Sequence, residues 1–227
     1  MKAIQIHQYL NLPSSLEGDS ANQYLSMNHN VAKPGESESP LKKNQMLVKV
    51  LACSISPGDV IMVQGNMKTM MHQPFPFVPG MDICGVVIDP NGSTTFQNGN
   101  VVVASNGIHP VGGMAEYMVV EKDECVLKPK KGVSVEAGAS CSSAISARNA
   151  VMEHVKKGDR VLVLGGSGGV GSAAIQIAKL HAQASFVATT STQTEFCQKL
   201  GADLVIDYRI QDWWQIMDDL DEKDENN

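Results

Sequence analysis

The stretch "VLVLGGSGGVGSAAIQIAKL", Val161 to Leu180, places five glycines within seven residues, between a short apolar run and a pattern of helical period. Val161 to Leu164 reads as a strand buried on both faces, the kind found in parallel sheets. Ser172 to Ala182 reads as a helix with Ala174, Ile177, Ala178 and His181 on one face. The glycines therefore stand where a strand turns into a helix. Gly166, Gly168 and Gly171 fit G-x-G-x-x-G, with Gly169 and Val170 inside the loop. In that pattern the first glycine makes the tight turn, the second lets backbone approach a pyrophosphate, and the third lets helix and strand pack closely. The free N–H groups and positive dipole end of the helix then face the phosphates. Gly171 is followed by Ser172 with no lysine, which sets the stretch apart from the P-loop of NTPases. A glycine-rich turn without ligand could show the same spacing, but the flanking strand and helix favour a dinucleotide loop.

Ser185 to Thr190 reads as the second strand, and about twenty residues beyond the glycines an NAD site would carry an acid for the ribose 2′-hydroxyl. Thr190, Ser191 and Thr192 stand there instead, after Thr189. A carboxylate would repel a 2′-phosphate whereas hydroxyls can donate to it, so NADPH is the expected cofactor. The same hydroxyls also suit strand formation and helix capping, and that alternative stays open.

The 227 residues hold enough chain for one large or two small domains. No apolar stretch approaches the roughly 20 residues of a membrane helix, and "MKAIQIHQY" lacks the apolar run of a signal peptide, so a cytoplasmic location is expected. Five scattered cysteines form no C-x-x-C pair and no disulfide framework. The net charge of -6 resides almost wholly in "DDLDEKDENN", residues 218–227, which reads as a solvated, disordered tail. The remaining body is nearly neutral and shows no basic stripe for nucleic acid or an anionic membrane.

Short β patterns at Met1–Tyr9, Met46–Leu51, "ICGVVID", "NVVVAS" and "GMAEYMVV", punctuated by Gly, Pro and Asn, suggest an all-β region ending near Leu127. A polar, loop-rich stretch fills Asn11 to Lys43. From Val135 onward strand, loop and helix alternate as in α/β proteins. The expected organisation is an all-β domain over 1–130, a doubly wound α/β domain over 131–217 and the acidic tail over 218–227.

"FPFVPGMDICGVV", "GGMAEYMVV", the glycine stretch and "LGADLVIDYR" follow in an order and spacing that resemble the zinc-independent quinone oxidoreductase branch of the medium-chain dehydrogenase/reductase superfamily. The resemblance implies a GroES-like β-barrel domain followed by a Rossmann domain, here partial with three recognisable strands. It implies hydride transfer from NADPH to a quinone or α,β-unsaturated carbonyl, a small-molecule substrate, and a homodimer only where the rest of the Rossmann domain is present. Zinc-dependent relatives take ligands from a Cys-Gly and a Gly-His-Glu segment. This chain has Ser56 and Met81 at those places, with Cys53 three residues too early, so no metal is expected. The resemblance further implies that "SISPGDV" lines the cleft beside the nicotinamide with Ser56 as candidate catalytic residue. Ser146 would lie near the cofactor, and Tyr208 and Arg209 would lie against the adenosine 2′-phosphate. A sister branch reduces enoyl thioesters with a tyrosine proton donor; Met67 occupies that position here and cannot donate, which makes that activity the second reading. Met62, Met67, Met70 and Met71 suggest an adaptable apolar lip. A third reading is an inactive fragment with at most weak NADPH binding, its Trp213 and Trp214 favouring association.

Overall fold

A computed structural model describes residues 1–10, 24–35, 40–69, 74–105 and 112–225, with side chains as far as Leu220. Met70 and Met71 and much of the Asn11–Lys43 stretch lie outside the described residues. The chain divides into two units, Met1–Cys141 and Ser142–Asn227.

The first unit carries β1 (Ala3–Ile6), β2 (Leu25–Asn28), β3 (Gln45–Cys53), α1 (Pro57–Val63), β4 (Asp82–Asp89), β5 (Val101–Ser105), β6 (Tyr117–Glu121), β7 (Cys125–Leu127) and α2 (Val135–Ala139). Strands β6-β3-β4-β5-β7 form one antiparallel sheet, and β1 and β2 pair antiparallel beside it. Isolated bridges tie Ala3 to Ala115 and Ile6 to Phe77. The β-branched and sulfur-containing side chains of these strands close a core of Met46, Val48, Ile83, Val87, Val102, Met118 and Val120. At roughly 1.5–3 kcal/mol per fully buried large apolar side chain, this core is what holds the short strands together. Register shifts in β3 between Val50 and Ala52 re-aim the chain just before α1, which helps place Ser56.

The second unit carries α3 (Cys141–His154), β8 (Arg160–Leu164), α4 (Gly169–Leu180), β9 (Phe186–Thr190), α5 (Thr194–Lys199), β10 (Leu204–Ile206) and α6 (Trp213–Glu225). Its sheet is parallel in the order β10-β9-β8. That is the first half of a doubly wound sheet, with the glycine loop following the first strand. Helices α3 and α4 give Ala147, Val151, Ala174, Ile175 and Ala178 to a core shared with Val163 and Val187.

Three expectations change. The boundary falls after Cys141 instead of near residue 130, because α2 buries Ala139 against Cys84 and Val103 and so belongs to the β unit. The buried face of α4 is Gly171, Ala174, Ile175 and Ala178, while His181 is exposed at the C-cap. The helix starts at Gly169, so Ile175 points inward. The acidic tail is not disordered across its length: α6 runs to Glu225, and Trp213, Ile216, Met217 and Leu220 are half-buried at helical spacing. Trp213 and Trp214 stack edge-on at 5.6 Å, with Trp214 exposed.

Candidate functional site

The glycine loop is held from below by β9. The Gly165 N–H donates to Thr190 Oγ1 at 2.9 Å and the Gly166 N–H to the Thr190 carbonyl at 3.0 Å. Thr189, fully buried, donates its hydroxyl to the Val163 carbonyl at 2.6 Å. These bonds fix the turn so that α4 begins at an open end: Gly168 is its N-cap, and no side chain caps it. A 12-residue helix whose first N–H groups lack a side-chain acceptor at the carboxyl end of a parallel strand presents donors and a dipole to an anion.

Two of the glycines are demanded by space. A Cβ on Gly166 would overlap Thr189 Oγ1 and lie 2.9 Å from Ile175 Cδ1. A Cβ on Gly171 would overlap the Gly165 carbonyl oxygen and lie 2.8 Å from its carbon, so the third glycine is where the helix meets the loop backbone. At Gly169 an added Cβ would lie 3.0 Å from Ser143 Oγ, which places a hydroxyl of α3 beside the mouth of the loop. Val170, in the first turn, is exposed.

The hydroxyl run behaves differently from the expectation. Thr190 and Ser191 are 5% and 1% exposed, and they brace the loop instead of opening toward a ligand. Thr190 accepts from Gly165, while Ser191 accepts from the Gln193 N–H at 3.0 Å and bonds Ser167 Oγ at 2.9 Å. Thr192 is half-buried. Tyr208 and Arg209 follow β10 at the same carboxyl end of the sheet as the glycine loop, both exposed. Arg209 donates from Nε and Nη2 to Asp207 at 2.9 and 2.6 Å, and this guanidinium holds the Asp207 carboxyl down at about 2. The charge expected at a 2′-phosphate is thus already engaged by a neighbour. Ser146 is exposed on α3 and donates to the Ser142 carbonyl at 3.0 Å, one turn back.

In the β unit, Ser56 is the N-cap of α1 in a capping box. Its hydroxyl donates to Asp59 Oδ2 at 2.7 Å and accepts from the Asp59 N–H at 3.2 Å; its own N–H donates to Asp59 Oδ2 at 2.8 Å. The Ser56 proton is therefore tied up in the cap, which argues against an acid–base part for it. Met81 Cε and Ser56 Oγ both border Gly58, so the fold does bring the two zinc-ligand positions together. A hydroxyl and a thioether are poor partners for zinc, which prefers thiolate, imidazole and carboxylate. Burial, and then the Asp59 and Asp82 carboxylates, push the nearby Cys53 thiol up to about 12, so the free thiol stays protonated. The donor set does not fit zinc. Elemental analysis of the purified protein is accordingly expected to find zinc far below one per chain, and chelator treatment to leave the melting temperature unchanged; one tightly held zinc per chain contradicts this.

An apolar cavity of about 260 Å³ lies beside α1, with Ile4, Ile6, Val60, Val63, Pro79 and Met114 in its wall. Met62, expected at an apolar lip, is instead buried with Ile6 and Phe77 in the core; Met67 is half-buried. The sequence reading missed Ser143 and Ser167. Neither stands out by spacing, since both are positioned by folds of the chain back onto the loop. Among the described residues no helix is long and apolar enough to cross a membrane.

Comparison with known proteins agrees with this architecture. Residues 42–130 match the alcohol dehydrogenase GroES-like domain. The chain is 34% identical to 2-methylene-furan-3-one reductase of Solanum lycopersicum, over 93% of this chain and 57% of that protein. It is 34% identical to the chloroplastic NADPH-dependent alkenal/one oxidoreductase of Arabidopsis thaliana, over 87% of this chain and 52% of that protein. The structure of the quinone oxidoreductase from Coxiella burnetii superposes with a TM-score of 0.73 at 30% identity, covering 95% of this chain and 65% of that one. The chain spans little more than half the length of these curated relatives. With a GroES-like unit, a three-stranded parallel nucleotide-type sheet and these relatives, the chain belongs to the zinc-independent quinone oxidoreductase branch of the medium-chain dehydrogenase/reductase superfamily.

Proposed function

We propose that this chain serves an oxidoreductase that transfers hydride from NADPH to a small quinone or α,β-unsaturated carbonyl. The observation that carries the reading is the bare glycine cradle at the uncapped start of α4, braced by β9 hydroxyls where an NAD site would hold a carboxylate. The residues fit the cofactor: backbone of Gly166, Gly168, Gly169 and Gly171 for the pyrophosphate, with Ser143, Tyr208 and Arg209 around it. When bound, NADPH supplies the hydride, and the protein supplies binding and orientation. In the β unit, the apolar cavity beside α1 suits an uncharged conjugated substrate, and Ser56 fixes the α1 end that borders it. Small molecules are the partners in this reading. The cytoplasm is the compartment expected from the sequence, and the Arabidopsis relative is named chloroplastic.

Fluorescence titration is expected to show NADPH binding at least about tenfold tighter than NADH, since hydroxyls follow β9 where an NAD site carries an acid, and the Asp207 carboxylate nearby is paired with Arg209. Equal affinities, or tighter NADH, refute the cofactor assignment. NADPH oxidation against a panel of quinones, enones and enoyl thioesters then assigns the substrate. Faster turnover of the thioesters favours the sister activity, and binding without any turnover favours a cofactor-binding piece.

A further inference from the structure

Resting on the substrate reading above, we infer that the substrate carries an extended apolar tail and that a groove adjoining the cavity beside α1 receives it. The groove has a volume of about 430 Å³ and is lined from β1, β2, the end of β3 and the segment entering β6. Ile4, Ile55 and Met114 stand in the walls of both groove and cavity, so the two spaces meet across these three side chains. That divider is not close-packed core. Ile55 is 73% exposed, and Met114 has a flexible thioether chain that re-packs readily, so the divider can make way for an apolar chain.

The sequence builds this groove by local means. Between Val50 and Ala52 the register of β3 against β4 shifts, which leaves Leu51 without a partner on β4 and 48% exposed. Met27 on β2 is 56% exposed and adds a second apolar residue to the rim. Ala3, Ala52 and Ala115 are short, which leaves depth between the rims. Single exposed apolar side chains are ordinary, but Met27, Leu51 and Ile55 around one groove keep apolar surface in water that a bound chain would remove. The charge in the wall narrows the occupant. Lys2 and Glu116 are its charged residues among the described ones, opposite in sign, and Glu116 accepts from the Lys2 N–H at 2.8 Å. A tail ending in a charge therefore finds no net partner, and an uncharged alkyl chain fits best. Cys53 also lines the groove. A thiolate there would add to the β-carbon of an enone, but burial, and then Asp59 and Asp82, keep this thiol protonated, so the groove tolerates an electrophilic substrate.

Calorimetric titration of the full chain, without NADPH, with straight-chain enones each one methylene longer than the last tests it. Each methylene is expected to tighten binding about 2- to 4-fold, the upper figure for full burial and the lower for an open groove, until the chain outgrows the groove. The heat-capacity change should grow more negative with length. Met27→Gln and Leu51→Gln replace exposed side chains at similar volume, so the fold is kept. Each is expected to cut the gain to below about 1.5-fold per methylene and to leave the shortest enone within about twofold of wild type. Affinity that ignores chain length in wild type, or a length dependence that both variants retain, overturns the tail groove and leaves the substrate reading standing. Straight-chain alkanols of matching length separate the two readings. If they bind as tightly as the enones and with the same length dependence, the groove stands and the conjugated head loses its place in the cavity. If no member of either series binds, both readings fall.

Discussion

Gly171→Ala is expected to abolish measurable nucleotide binding and to cost about 3 kcal/mol of stability, the upper range for forcing a methyl into a closed site. The sign is what makes the experiment decisive. Within a helix, replacing glycine by alanine ordinarily stabilises by roughly 0.5–1 kcal/mol, and Gly171 lies in α4. Here the added Cβ would overlap the Gly165 carbonyl oxygen and sit 2.8 Å from Gly165 C and 2.9 Å from Gly166 Cα, all backbone of the same loop. Backbone held by Thr190 cannot swing aside as a side-chain tip can, so the steric loss should win. Gly168→Ala provides the contrast, because its Cβ would meet only the Gly165 oxygen, at 3.3 Å, and a shift of a few tenths of an ångström relieves it. Its cost is expected to stay below about 1 kcal/mol. Denaturant unfolding and NADPH titration of both variants measure this; a Gly171→Ala protein as stable as wild type would show that the loop yields where the geometry says it is closed.

The second large effect is expected at Asp59, which lies 2% exposed at the start of α1 and holds two segments at once. One carboxylate oxygen accepts from the Ser56 N–H and hydroxyl, and the other accepts from the Gly80 N–H at 3.1 Å. Asp59→Ala leaves these donors without their acceptor, at about 1–3 kcal/mol for each buried one, so a total near 3 kcal/mol and a fall in melting temperature of about 10 °C are expected. Asp59→Asn should not rescue. Both oxygens face donors, so the carboxamide must turn its NH₂ against one of them whichever way it flips. Thermal unfolding in which the Asp59→Asn variant matches wild type within about 0.5 kcal/mol would refute the two-sided role.

The glycine turn, its strands and the β-rich first unit were legible because spacing alone encodes them: Gly166 and Gly171 are glycine for want of room, and that leaves a fixed pattern in the chain. The helix α6 was missed, because its residues from 218 onward read as a disordered acidic tail. Trp213, Ile216, Met217 and Leu220 form a half-buried stripe at i, i+3, i+4 and i+7, and the count of acids obscured the period running into them. What could not be read was the direction of hydroxyls. Thr190, Ser191 and Ser56 are polar residues at the expected places, yet each faces backbone or a neighbouring side chain in its own fold. A short polar side chain competes for nearby backbone groups as readily as for a ligand, and only the three-dimensional arrangement decides which it serves.

Strand β8 carries the glycine loop at its carboxyl end and stands at the edge of its sheet, bonded to β9 alone among the described strands. The outer row of its amides, like that of β10 at the other edge, has no strand partner among the described residues, and opening of the β8 edge would loosen the cradle with it. A dinucleotide that requires the cradle intact must therefore suppress fraying of β8, so that occupancy of the loop and protection of a strand with no ligand contact of its own become one linked equilibrium.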